Sequence, residues 1–216
     1  MTKYKTGIQT KQHIYNAAEK LFYEKGYTST SIAEINVQSQ TNKSSFYHHY
    51  HNKLELGTEI FANFSRSNTS TAALFASSID NITGVALDLK TFWYLFYFDE
   101  NVRRFAIELA ADNVLKITDK SYIFDVCFDL SENVYTPYEK NIIIMAAVGL
   151  TKQFNQDAFS VSDSYDDVSD YFFRFLLRLF DINRTSIERI LDNAKALLAL
   201  CQIRNKGFIA KSALKH

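Results

Sequence analysis

Proline occurs once in 216 residues, at position 137, and glycine only six times. A chain with so few breakers and turn formers has little with which to punctuate the short strands of a sandwich or barrel, and no strand pair stands out. Cysteine is as scarce: Cys127 and Cys201 fall inside apolar helical patterns without metal-like spacing, and two thiols make no disulfide framework. That usage fits a reducing cytoplasm. No uninterrupted apolar run reaches membrane-spanning length, and the opening MTKYKTGIQTK leads into an amphipathic pattern, not an apolar signal core. A soluble, non-exported, cytoplasmic protein without membrane contact is therefore expected. Catalytic hardware is missing too: no nucleophile is paired with a base, no glycine loop cradles a phosphate and no carboxylate pair is placed for acid–base work. Neither an enzyme nor a cofactor is expected.

Net charge is also absent, with 24 Lys plus Arg against 24 Asp plus Glu, but it is unevenly spread. Residues 1–53 carry seven Lys and three Glu, a net +4, and the remainder carries 17 basic against 21 acidic residues, a net −4. A basic module on an acidic body suits a protein whose first segment meets nucleic acid, since phosphate neutralisation supplies most non-specific affinity.

What is present in abundance is apolar and aromatic surface, 47% and 15% of residues, recurring at three- and four-residue spacings. The pattern predicts an all-α chain with a substantial core. A first helix begins near Thr10, buries Ile14, Ala17, Ala18, Leu21 and Phe22 and stops at Gly26. Asn52, with Glu55 three residues on, caps a longer helix to about Ser65. Further helices are predicted over 85–98, 102–116 and 122–134, then over 136–156 with Pro137 at its first position and Glu139 completing a capping box. Two more follow over 166–181 and 186–203, the last with a Thr185/Glu188 capping box. Residues 68–78 read as loop or weak helix, and the basic tail after Gly207 as loose.

The most informative stretch is Thr30–Lys53. Ser31 is placed to accept from the backbone N–H three residues on while Glu34 reaches back, starting a short helix that turns Ile32 and Ile35 inward. The polar run Gln38-Ser39-Gln40-Thr41 cannot sustain it, and Asn42 caps a second short helix, Lys43 to about His49. On that helix Phe46 and Tyr50 share one face, leaving Lys43, Ser44, Ser45, Tyr47 and His48 outward as short or cationic donors suited to a DNA groove.

Residues 8–60 resemble the helix-turn-helix of the TetR family of bacterial transcriptional repressors. The family's Leu-Tyr-x-His-Phe followed by x-Asn-Lys-x-x-Leu is matched by the run from Phe46 through Tyr47, His49, Tyr50, Asn52 and Lys53 to Leu56. The resemblance implies an N-terminal three-helix DNA-binding domain, 1–53, and a larger helical effector-binding and dimerisation domain, 54–216. It also implies Ser31, Lys43, Ser44, Ser45, Tyr47, His48 and Lys53 at the DNA, Lys53 offering a phosphate its ammonium from the first turn of the fourth helix. Where the family has glycine in the turn this chain has Gln40, so a residue with a Cβ is expected at positive φ.

Other features have plainer readings. His48, His49 and His51 lack a carboxylate or thiol to complete a metal shell, so no metal is expected there. The acids Asp163, Asp166, Asp167 and Asp170 read as a solvated helix entry. The aromatic segment around TFWYLFYF is either core or the wall of an effector cavity. In the second case Trp93, Tyr97, Phe105, Tyr122, Asn141, Met145 and Gln153 line it, for a hydrophobic or aromatic small molecule. The last two predicted helices carry more apolar surface than one-sided burial uses. A twofold interface formed by Tyr171, Phe172, Phe173, Phe175 and Leu177, with Ile190, Ala194, Leu197 and Leu198, accounts for the excess. The expected protein is a homodimeric repressor that binds an inverted-repeat operator in double-stranded DNA and is released by its effector. The alternative is a helical small-molecule-binding module with a degenerate helix-turn-helix.

Overall fold

Ten α-helices and one hairpin make up the computed structural model, which describes residues 2–67, 71–112, 122–157 and 164–215. The helices are α1 (Thr2–Lys25), α2 (Ile32–Ser39), α3 (Lys43–His49), α4 (Lys53–Ser67), α5 (Asn81–Phe98), α6 (Glu100–Asp112), α7 (Tyr122–Leu130), α8 (Pro137–Asp157), α9 (Tyr165–Leu179) and α10 (Arg184–Ala199). A single 3-10 turn, Ala72–Phe75, occupies the described part of the stretch read as loop or weak helix. The all-α prediction holds, and the Thr136–Glu139 capping box forms as predicted, with Thr136 N–H donating to Glu139 at 2.8 Å.

Three local readings are corrected. Helix α1 starts eight residues before Thr10, because nothing between Thr2 and Thr10 breaks a helix except Gly7, which is tolerated at about 1 kcal/mol. Helix α10 is capped by Asn183, whose side chain accepts from Ser186 N–H at 2.9 Å. Glu188, freed from the expected box, instead accepts from Arg174 on α9 at 2.8 and 2.9 Å. Lastly, the last helix ends at Ala199 and not near 203, and the tail after Gly207, expected to be loose, pairs as β2 (Ile209–Leu214) with β1 (Cys201–Lys206), the hairpin turned by Gly207 at φ 63°.

The chain divides into two compact units. The first comprises Met1–Ser67, Asp99–Leu115 and Asn205–Ala210. The sequence-based boundary at residue 53 falls at the first residue of α4, a helix that belongs to this unit entire. Its core is aromatic: Phe22 stacks on Phe105 at 5.7 Å and meets Tyr27 edge-on at 5.3 Å. Asp99 caps α6 by accepting from Asn101 and Val102 N–H, and also accepts from the Tyr23 hydroxyl at 2.9 Å.

In the second unit α5 packs along α10 and touches α7 and α9. Trp93, Leu87 and Phe96 on α5, Phe172, Phe173, Leu176 and Leu177 on α9, and Ile187, Ile190 and Ala194 on α10 are buried, each large side chain contributing about 1.5–3 kcal/mol. Lys90 is fully buried among them, which is tolerable because its ammonium is paired with Asp170 and donates to Ser169 Oγ at 2.9 Å. Asp88, two residues earlier, accepts from Ala72 N–H at 2.8 Å and so pins the 3-10 turn to α5.

Burial pushes the Asp88 carboxyl up to about 6, against the opposing pull of the Ala72 and Thr71 N–H groups. A carboxyl raised on folding binds more protons in the native state, so its contribution falls as pH rises from about 4 to about 6. Asp88→Asn keeps an acceptor for Ala72. It should melt higher than the wild type at pH 7, by on the order of 1 kcal/mol after allowing for solvent screening, and should lose that margin at pH 4. Thermal melts of both proteins across this range check it.

Candidate nucleic-acid interface

The surface begins with a cap. Ser31 sits in extended backbone at φ −97° and its hydroxyl accepts from Glu34 N–H at 3.2 Å, while Glu34 accepts from Ser31 N–H at 2.8 Å. Ion pairing with Lys25, then the Ser31 bonds, hold the Glu34 carboxyl down to about 2. The Ser31 hydroxyl also donates to Glu34 at 2.9 Å, so this candidate DNA contact is spent inside its own cap.

The turn adopts the conformation that the missing glycine foretold. Gln40 takes φ 55°, ψ 39°, in the left-handed region. Its N–H donates to Val37 O and that of Thr41 to Asn36 O at 2.9 Å, closing α2 with the paired bonds of a Schellman motif. Ser39 and Thr41 hydroxyls bond each other at 2.7 Å, so polar residues here are satisfied locally.

Helix α3 starts at Asn42, whose side chain accepts from Ser45 N–H at 2.9 Å. Phe46 and Tyr50 are buried, with rings 5.8 Å apart, and α3 packs on α1 and α2. This leaves Lys43, Ser44, Tyr47 and His48 exposed and Ser45 half-buried. The Lys43 ammonium lies 5.9 Å from the centre of the Tyr47 ring. His48 packs against His49 at 4.8 Å. His49 is held below the usual histidine range by burial, then by the charges of His48 and Lys11. His51 is tied to Glu55 through both its N–H and its Nδ1.

Lys53 departs from the expected picture of an ammonium held out to phosphate. Its Nζ donates to Tyr27 O at 2.8 Å and Thr30 O at 3.0 Å and lies 4.3 Å from the centre of the Tyr27 ring. Two carbonyls at the end of the α1–α2 corner outcompete solvent, and Lys53 acts as a clip from α4 to that corner. Sequence reasoning missed the corner's other holders entirely. Arg104 donates to Tyr23 O and Glu24 O, Glu108 accepts from Thr28 N–H at 2.8 Å, and Asp112 accepts from the Tyr27 hydroxyl at 3.0 Å. Gly26 is required there: at φ 94°, a Cβ would stand 2.9 Å from Glu108 Oε2. About 80 residues separate these partners, and no local pattern announces them.

The candidate effector residues do not converge. Phe105 belongs to the first unit's core, where it stacks on Phe22. Trp93 is buried against Phe172 at 4.9 Å, Tyr97 is half-buried, Asn141, Met145 and Gln153 are exposed, and the side chain of Tyr122 lies outside the described residues. The aromatics around Trp93 interdigitate as core. The gap found beside them, lined by Ile82, Val85, Leu89, Cys127, Phe173 and Leu176, is apolar and too narrow for a water molecule.

The proposed interface residues separate into two sets. Phe172, Phe173, Leu177, Ile190 and Ala194 are spent in the second unit's own core, because α9 and α10 bury wider stripes against α5 than one face of each helix provides. Tyr171 and Phe175 are exposed, at 70% and 54%, and Leu197 and Leu198 are half-buried. The acidic helix entry is satisfied within the unit: Asp170 pairs with Lys90, Asp166 with Lys195, and Asp167 bonds the Ser164 cap, while Asp163 lies outside the described residues.

Residues 14–60 match the model for the N-terminal domain of bacterial regulatory proteins of the tetR family. The Tn10 TetC protein of Escherichia coli is 47% identical over 47 residues, and an uncharacterised HTH-type transcriptional regulator of Lactococcus lactis is 46% identical over 46. Each match covers 24% of that protein, 22% and 21% of this chain. The backbone resembles the crystal structure of RolR in complex with resorcinol, with a TM-score of 0.62 over 88% of this chain and 96% of that one, at 14% identity.

Two substitutions check the interface's construction. Gln40→Gly removes left-handed strain and should stabilise the protein by about 0.5–1 kcal/mol. The Tyr50 hydroxyl is buried near the Glu59 carboxylate without a hydrogen bond of good geometry, so Tyr50→Phe should be neutral or up to about 1 kcal/mol stabilising. Denaturant titrations decide both, and a loss in either contradicts the described geometry.

Proposed function

We propose that this chain, which belongs through its N-terminal domain to the TetR family of bacterial regulatory proteins, is a transcriptional repressor that binds an inverted-repeat operator as a homodimer and leaves it when a small effector binds. The observation that carries the reading is α3 itself. A short, capped helix anchored by Phe46 and Tyr50 turns Lys43, Ser44, Tyr47 and His48 outward from a basic N-terminal module. These are the side chains that reach phosphates and base edges when a helix lies in a major groove. The left-handed Gln40 makes the turn without glycine, which weighs against a degenerate helix-turn-helix.

The homodimer's surface is assigned to α8 with the outer side of α9. Tyr138, Ile142 and Met145 are exposed at 74%, 48% and 69%, spaced along one face of α8, which packs beside the helix carrying exposed Tyr171 and Phe175. A second copy covering both helices would bury this apolar area. The effector reading is supported by the fold neighbour RolR, solved with resorcinol, and by the aromatic side chains concentrated in the second unit. A hydrophobic or aromatic molecule entering there has to part packed helices, a shift that a dimer can pass to its recognition helices.

Lys43→Ala should weaken operator binding and relax the choice of base at particular positions, by about 1–3 kcal/mol at the affected pairs, with fluorescence anisotropy against single-base variants as the readout. Lys53→Ala should act differently, lowering the melting temperature as the corner loosens. A Lys43→Ala protein that binds and discriminates like the wild type contradicts the reading.

Met145→Glu with Phe175→Glu places two charges in the proposed interface. Light scattering should show folded monomer, since burying unpaired carboxylates costs several kcal/mol. Phe173→Glu, aimed at the core, should unfold the second unit instead. A double variant that stays dimeric removes the α8–α9 assignment.

A further inference from the structure

The C-terminal hairpin places Phe208 at its tip, and that ring is 1% exposed although it follows a turn at the end of the chain. Residues Asn205–Ala210 belong to the first unit. There the Phe208 ring lies 4.5 Å from Phe105 on α6, 5.4 Å from Tyr23 on α1 and 5.8 Å from Phe64 on α4. Three helices separated by tens of residues thus share one aromatic plug. We propose that the hairpin tip is a positioning element for DNA binding, Phe208 fixing the outer turns of α4 against α1 and α6; this rests on the DNA-binding reading above.

The ring contacts divide the work. Phe46 meets Tyr47 and Tyr50, so the recognition helix has an anchor of its own. Phe64 stands eleven residues beyond Lys53, toward the end of α4, where the helix runs on into the rest of the chain. Without Phe208 the helix-turn-helix keeps its form, while α4 loses a partner that sets its direction. A single half-site needs only the former. A two-half-site operator needs two modules held at a fixed spacing, and α4 carries each module. Gly207 provides the turn, at φ 63° with open space around it, so the tip's shape is set by backbone conformation and not by crowding.

The test uses full-length protein and the duplex that the wild type enriches, offered as the complete inverted repeat and as one half-site. Phe208→Ala should bind the complete site roughly tenfold more weakly while half-site affinity stays within about twofold, and Phe208→Leu should recover most of the loss. Circular dichroism melts establish that each variant is folded at the assay temperature. Should Phe208→Ala not fold, Gly207→Ala, which strains the turn but keeps the ring, should show the same full-site loss with half-site binding unchanged. Equal full-site affinity in all folded variants, or parallel losses on both duplexes, overturns the positioning role and leaves the DNA-binding reading standing. A wild type that enriches no duplex overturns both.

Discussion

A seven-residue helix has no stability of its own in water, because helix nucleation costs more than two turns of hydrogen bonds return. The direction in which α3 presents Lys43 and Tyr47 therefore depends on the burial of Phe46 and Tyr50. Everything around it serves that burial. Asn42 satisfies one of the orphan N–H groups of α3, that of Ser45, Gln40 bends the chain to bring α2 alongside, and α1 forms the floor. The corner at Gly26 is then fixed from two sides, by the Lys53 ammonium and by Arg104, Glu108 and Asp112 of α6. Electrostatics here orders backbone, while the charges left over, Lys43 chief among them, face outward.

Much of this was legible in the amino-acid sequence because it is local. The Ser31–Glu34 box, the Asn42 cap, the Thr136–Glu139 box and the positive φ at Gln40 each depend on residues within a few positions of one another. The prediction failed where distance decided. Lys53 looked free because its acceptors, Tyr27 O and Thr30 O, are backbone atoms more than twenty residues away. Phe105 looked like a cavity wall because its neighbours Phe22 and Phe208 are remote on either side. The hairpin was missed because β1 begins inside the apolar periodicity of the predicted last helix, β2 lacks an alternation of apolar and polar residues, and the turn holds one glycine.

The second unit shows the same limit for apolar surface. Counting hydrophobic faces on α9 and α10 put Phe173 and Leu177 in one outward set with Tyr171 and Phe175, whereas the first two are buried within the second unit and only the last two are exposed. The helix with the most to cover is α8, where Ala147 is the one buried apolar side chain among those described. Sequence periodicity gives the width of an apolar stripe; which side of it meets the partner is set by where neighbouring helices lie.

The central claim is that α3 reads a duplex, and enrichment of random double-stranded DNA by the purified wild-type chain tests it most directly. The account predicts an inverted repeat whose half-sites stand about one helical turn apart, centre to centre, or slightly more. Enrichment of no sequence over the starting pool, at a salt concentration where non-specific binding is suppressed, would contradict it.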